Sequence, residues 1–253
     1  MRDRRAAAQR QALAVRLVHG SDGAMNWLEF WNQDTSLYVN ERHRRAHYDL
    51  VARDLLRHVP PASARLVDYG CGDTLTAERL AAVCAHLFLC DAAPRVRDRL
   101  RKRYAGQPSI TVITPEQFQQ LPAHSIGMIV VNSVVQYLSH AQLAELIEAA
   151  REKLTSQGVL LLADIVPRGV GPWRDAIELI KFAIGNGFLI AALLGLARSY
   201  FSPYRKIREH AGFLQFDEAE FLSLLRERGF AAWRQRPNIG HNAIRMTFLA
   251  VAR

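Results

Sequence analysis

The run Leu66-Val67-Asp68-Tyr69-Gly70-Cys71-Gly72-Asp73-Thr74 decides the fold. An apolar strand enters two glycines and leaves into a helix expected to begin at Thr74. The glycines permit a tight turn and a close ligand approach, and the start of a helix presents N–H groups without intrahelical partners. A P-loop is excluded because no Gly-Lys-Ser/Thr follows, and a dinucleotide turn would want Gly or Ala where Leu75 stands. Asp68, two residues before the first glycine, would repel a pyrophosphate and attract an ammonium or a sulfonium. Asp91 ends the next apolar strand, 21 residues after Gly70, where a carboxylate can accept from both hydroxyls of a ribose.

Working outward, strands and helices alternate. The pattern is helical from Trp27 to Val59, where Glu41 and Arg45 form an i, i+4 pair and Tyr48, Val51, Ala52, Leu55 and Leu56 make an apolar stripe. Pro60-Pro61 stops it. Strands are expected at 65–69, 86–90, 110–113, 126–131 and 159–165, and helices at 74–85, 94–104 and 141–154, the last ended by Gly158. After a long insertion at 167–212, a helix over 217–229 has Asp217 as N-cap and Gly229 as its stop. Strands at 230–235 and 245–252 then pair antiparallel at one edge. The result is an α/β fold with a mostly parallel sheet covered by helices on both faces. We divide it into an N-terminal helical cap, 1–60, and a sheet domain, 61–253, with a helical insertion.

Composition narrows the class. With 253 residues, 49% hydrophobic, 15 Gly and 10 Pro, the chain is neither disordered nor collagen-like. Three cysteines without a C-x-x-C pair exclude a disulfide scaffold and suggest no metal site, which fits a reducing, cytoplasmic setting. The first 18 residues are Arg-rich but lack a secretory apolar core, and Asp3 speaks against a mitochondrial presequence. The formal charge of +9 rests on 29 Arg and 4 Lys, so arginine-rich coding accounts for part of it.

The motifs together resemble those of the class I S-adenosylmethionine-dependent methyltransferases. Asp68-Tyr-Gly70-Cys-Gly72 is similar to their first motif, with Thr74 in place of a third glycine, and Phe88-Leu-Cys-Asp91 is similar to their second. Ser125-Ile-Gly-Met-Ile-Val-Val-Asn132-Ser133-Val-Val-Gln136-Tyr137-Leu resembles their fourth-strand segment, in the wording of natural-product assembly-line domains, with Gly127 replacing the usual Asp. The resemblance implies a Rossmann-like seven-stranded sheet with an antiparallel last strand, and S-adenosyl-L-methionine as cofactor. It implies that Gly70 and Gly72 admit the methionine end, Asp68 orients the turn and the ammonium, and Asp91 holds the ribose with Ala92 against the adenine. The loop Thr114–Phe118 would offer Glu116 and Gln117 to the adenine, and Asn132 would sit beside the sulfonium. Tyr38 and His47 on the N-terminal helix would cover the cofactor.

The acceptor side is less explicit. Among His43, His47, His140, His210 and His241, the last stands between the final two strands and is the candidate general base. The insertion holds an uncharged run from Phe182 to Ala197, too short to span a bilayer and broken by Gly185-Asn186-Gly187. It reads as a lid over a lipophilic small molecule, a subunit interface (the chain being a monomer or a homodimer), or a peripheral membrane contact through 176–208 with Arg198, Arg205, Lys206 and Arg208 alongside. Two other classes compete: an RNA methyltransferase, and a non-catalytic interaction protein on the same fold. The first is disfavoured because Asn132-Ser133-Val134-Val135 stands where a base-modifying enzyme would carry Asn/Asp-Pro-Pro-aromatic, and the second by the retained Asp68 and Asp91.

Overall fold

Strand β1 (Arg65–Tyr69) lies at the centre of the sheet, paired in parallel with β2 (His86–Cys90) on one side and β4 (Ile126–Asn132) on the other. The computed structural model describes residues 31–32, 38–60, 64–200 and 213–253. The N-terminal leader, the first residues of the expected 27–59 helix, and Arg205, Lys206, Arg208 and His210 lie outside the described residues, as do the side chains of Arg198 and Tyr200.

With β3 (Ile110–Ile113), β5 (Leu154–Pro167), β7 (Phe230–Gln235) and β8 (Met246–Ala252), the order is β3-β2-β1-β4-β5-β8-β7. Strand β8 runs antiparallel to both neighbours, so β7, not the terminal strand, forms the edge. A two-residue β6 (Gln215–Phe216) pairs with the end of β5. This is the Rossmann-like sheet expected, with one short strand added.

Alternate residues of each central strand feed opposite cores, as the two-residue period of a pleated strand requires. Ile129 and Val131 of β4 face a layer formed by α4 (Pro115–Gln119), α5 (His140–Lys153) and α8 (Glu218–Glu227), where Phe118, Ile147 and Phe221 are completely buried. Met128 and Val130 face α1 (Glu41–Leu55), α2 (Ala77–Ala81) and α3 (Pro94–Arg103), which contribute Leu55, Leu80 and Leu100. Truncating a fully buried phenylalanine such as Phe118 to alanine would cost about 3–5 kcal/mol. The insertion forms a hairpin of α6 (Pro172–Asn186) and α7 (Leu189–Tyr200), turned by Gly187 in the left-handed region.

Several boundaries differ from expectation for local reasons. Helix α1 starts at Glu41 because the Asn40 side chain, on extended backbone, accepts from His43 N at 2.8 Å. The helix expected from Thr74 begins only at Ala77, because the Thr74 carbonyl is taken by Arg103 and by the Tyr104 hydroxyl, at 2.7 and 3.0 Å. The expected loop over 114–118 is α4, started by a capping box between Thr114 and Gln117. Helix α5 ends at Lys153, and Gly158 lies within β5 instead of closing the helix. Gly127 has a packing explanation: a Cβ there would stand 2.6 Å from that of Ala64.

Candidate active site

The carboxyl ends of β1 and β4 meet α1 around one cavity. At β1 the chain turns through Gly70 and Gly72, both with positive φ, +71° and +56°. A Cβ on Gly70 would collide with the Val134 side chain, whereas one on Gly72 would meet nothing closer than the Tyr48 hydroxyl at 3.6 Å. The first glycine is therefore fixed by crowding as well as by dihedral, the second by dihedral alone.

Two carboxylates flank the turn. Asp91 Oδ2 accepts from Gly72 N at 3.0 Å, and Oδ1 accepts from Ala93 N at 2.8 Å. Each oxygen keeps acceptor capacity for a further donor. Asp91 thus ties the two strand ends together. Asp68 lines a cavity with Asn132, His47, Tyr48, Cys71 and Gly70. Burial, and then the neighbouring Asp91, push the Asp68 carboxyl up to about 7; burial also raises Asp91, against its two backbone donors and Arg97. The side-chain oxygen of Asn132 is buried and has no partner among the described residues. Two desolvated carboxylates and an orphan amide oxygen at one turn ask for a ligand that brings positive charge and hydrogen-bond donors.

Residues 67–162 match the family described as a methyltransferase domain. That domain lies over the strands and turn just described. The fold agrees with it over nearly the whole chain. The complex of the Haloferax volcanii Trm112 methyltransferase activator with a putative methyltransferase matches with a TM-score of 0.58 at 12% identity, covering 91% of this chain and 99% of that one. A DhpI–SAH complex matches with a TM-score of 0.57 at 10% identity, covering 89% and 94%. The pyocyanin biosynthetic protein PhzM matches at 0.53 and 16% identity over 81% of this chain, which spans only 55% of PhzM. No curated protein matches the chain. The fold is the class I methyltransferase fold, S-adenosylmethionine is the cofactor it implies, and methyl transfer from it is the activity class supported.

Other residues singled out in the sequence fall into two groups. Ala92 is exposed just past β2, Glu116 is half-buried and Gln117 exposed on α4. The Gln117 amide oxygen is engaged, accepting from Thr114 N at 2.9 Å. Tyr38, His47 and His241 come together beneath the hairpin. Tyr38 lies against the His47 ring at 5.4 Å, and His47 against that of His241 at 6.1 Å. Burial pushes Tyr38 up to about 12 and His47 down to about 3. His241 is no surface histidine: it stacks on Phe182 at 4.7 Å, and burial lowers its pKa against the opposing pull of Asp164.

Three participants, Asp73, Ser133 and Asp164, escaped the sequence reading, and a fourth, His43, was weighed there only among the candidate bases. His43 stacks on Phe188 at 4.8 Å and is pushed down to about 4 by burial. Asp73 receives Arg44, Arg99 and Arg103 at 3.3, 3.0 and 3.3 Å, fastening α1 and α3 to the turn. Ser133 and Asp164 both have positive φ, +58° and +60°, and the serine hydroxyl donates to Asp164 Oδ2 at 2.8 Å. The available signal was Asp164 itself, a charge inside an otherwise apolar strand.

Proposed function

We propose that this chain transfers a methyl group from S-adenosylmethionine to a small, lipophilic acceptor held beneath the α6–α7 hairpin, with residues 1–60 serving as a cap. The observation that carries the cofactor half is the pairing of Asp68 and Asp91 across the glycine turn. Asp91 would hold the ribose hydroxyls, and Asp68 with the free oxygen of Asn132 would take the ammonium. Gly70 and Gly72 would admit the backbone of the methionine end, Tyr38 and His47 would close over it, and Ala92, Glu116 and Gln117 would border the adenine. Bound there, the cofactor supplies an electrophilic methyl. The chain's contribution is to hold the acceptor in line and to exclude water, which for well-oriented partners supplies on the order of 7–11 kcal/mol.

The lipophilic acceptor rests on the hairpin. Phe182 and Phe188 line its inner side against His43 and His241. A Cβ on Gly195 would collide with Val39, so α7 lies close on the segment before α1. The outer side leaves Ile184 63%, Ile190 76% and Leu194 56% exposed, which favours a second reading in which the same hairpin also rests on a lipid surface. Among the described residues no helix is long and apolar enough to cross a membrane.

Calorimetric titration with S-adenosylmethionine tests the reading. Asp91→Ala is expected to weaken binding by about 10- to 100-fold, the loss of hydrogen bonds to a charged group. Undetectable binding by the unmodified chain would sink the methyl-transfer reading. Binding that Asp91→Ala leaves untouched would sink the site assignment.

A further inference from the structure

The strained pair at the ends of β4 and β5 is not among the residues proposed to hold the cofactor. Asp164 sits at a break in the β5–β8 register, between Leu162 and Ile165. Left-handed backbone at a non-glycine residue costs about 1–3 kcal/mol and persists where the surroundings enforce it. Here it occurs twice, at residues joined by one short hydrogen bond. Asp164 N also donates to Asn238 Oδ1 at 3.3 Å, and Asn238 Nδ2 in turn donates to the carbonyl of Asn242 at 3.0 Å. The loop carrying His241 is thereby fastened to the backbone of Asp164.

A third group is tied to the same loop through Asp175, which also accepts from Asn242 Nδ2 at 3.0 Å. Arg245, 7% exposed, gives Nε and Nη2 to Asp175 of α6, at 3.3 and 2.8 Å. Its Nη1 is buried without a partner among the described residues. Asp164 and Arg245 act on each other electrostatically, and both act on His241.

We propose that His241, Asp164 and Arg245 form the acceptor subsite, that Asp164 is the positioning residue for His241, and that the subsite takes a hydroxyl oxygen. This rests on the methyl-transfer reading and names its acceptor class. A hydroxyl oxygen has two lone pairs: one accepts from Arg245 Nη1 while the other attacks. A neutral amine has a single lone pair, which Arg245 would occupy, and an ammonium would be repelled by the guanidinium. A carboxylate has no proton to give up, and it would face Asp164, Asp175 and Glu178. In the step, the hydroxyl proton passes to His241 as the oxygen forms its bond to the methyl carbon, with the carbon–sulfur pair leaving on sulfur. The imidazolium beside Asp164 then returns the proton to solvent.

The test reads His241 directly in the cofactor-free protein, by NMR titration of its ring protons, assigned by difference from His241→Gln. The groups facing this ring are His43 and His47 of α1, Asp164 of β5, Asp175 and Glu178 of α6, and Arg245. Asp164→Asn removes the foremost attracting charge, and the His241 midpoint is expected to move down by about one unit. Ser133→Ala, a milder change that keeps the carboxylate, is expected to alter that midpoint by less. An unmoved His241 midpoint in a folded Asp164→Asn variant that still binds S-adenosylmethionine overturns the pair while leaving the methyl-transfer reading intact. For acceptor class, 4-heptylphenol, 4-heptylaniline and 4-heptylbenzoate are titrated in the presence of S-adenosylhomocysteine. The phenol is expected to bind at least tenfold more tightly than either analogue. Equal or tighter binding of an analogue, or no binding of the phenol, overturns the hydroxyl assignment.

Discussion

The carboxyl ends of β1–β2 and of β4–β5 each present buried carboxyl groups, yet the two places are built by different means. At β1–β2, Asp68, Gly70, Gly72 and Asp91 come from a strand, its turn and the next strand, and Asp91 reaches Gly72 directly. At β4–β5, Asp164 is bonded to Ser133 and to Asn238 of the last loop, and the histidine of that loop is buried by α1 and α6. The first is a local construction that one stretch of chain can specify. The second exists only when the hairpin and the final loop have docked. A fold can thus hold its cofactor side fixed while its acceptor side is redrawn by changes in distant segments.

The largest effect that would sharpen this contrast lies in the turn. Gly70→Ala adds a collision with Val134 to the dihedral penalty and is expected to destabilise by roughly 2–4 kcal/mol. Gly72→Ala carries the dihedral penalty alone, roughly 1–2 kcal/mol. Urea unfolding of the two variants checks the order. Equal losses would mean that Val134 yields.

A middle-sized effect is read against pH. Asp68 is raised in the folded state to about 7, so the folded chain holds its proton through a window in which the unfolded chain has released it. Stability from this group is present below the unfolded value and is lost as pH rises through about 7. His43 and His47 act in the opposite direction: lowered to about 4 and about 3, they favour the fold above their ordinary range and remove that support as pH falls. The difference between the unmodified chain and Asp68→Asn isolates the first contribution. Thermal melts without cofactor are expected to show the variant gaining relative stability from pH 5 toward pH 8, and a difference that does not vary with pH would break the assignment. The smallest stability effect belongs to the hairpin's outer face, where Ile190→Glu is expected to stay within about 0.5 kcal/mol. The same change is expected to abolish any sedimentation with phosphatidylcholine vesicles, and sedimentation unchanged by it would remove the lipid-surface reading.

Most of the sheet was legible because its signals are local. Strands at 65–69, 86–90 and 110–113 fall where apolar runs and turn residues place them, and the terminal pair was recognisable as antiparallel. Short helices were harder: α2 and α4 are five residues each, and their limits are set by Tyr104, Arg103 and a capping box rather than by periodicity. The carboxylates of the turn could be read because their spacing is constant within one β-α-β unit. The Ser133–Asp164 bond and the burial of His241 could not, since each depends on contacts between segments far apart in the chain. Nothing local to Gly240-His241-Asn242 indicates that Phe182 will cover it.

The Asp73 cluster has a consequence for traffic through the site. Helix α1 roofs the cavity at the glycine turn, and Arg44 fastens it to the same carboxylate that Arg99 and Arg103 hold from α3. These side chains are partly solvated, so salt weakens their attraction more than it weakens the buried apolar contacts of Val51 and Leu55. Departure of bound S-adenosylhomocysteine, followed by stopped-flow displacement, is therefore expected to quicken with ionic strength, and Arg44→Gln to make that rate insensitive to it. The roof would act as a gate whose residence time is set by the ions around it.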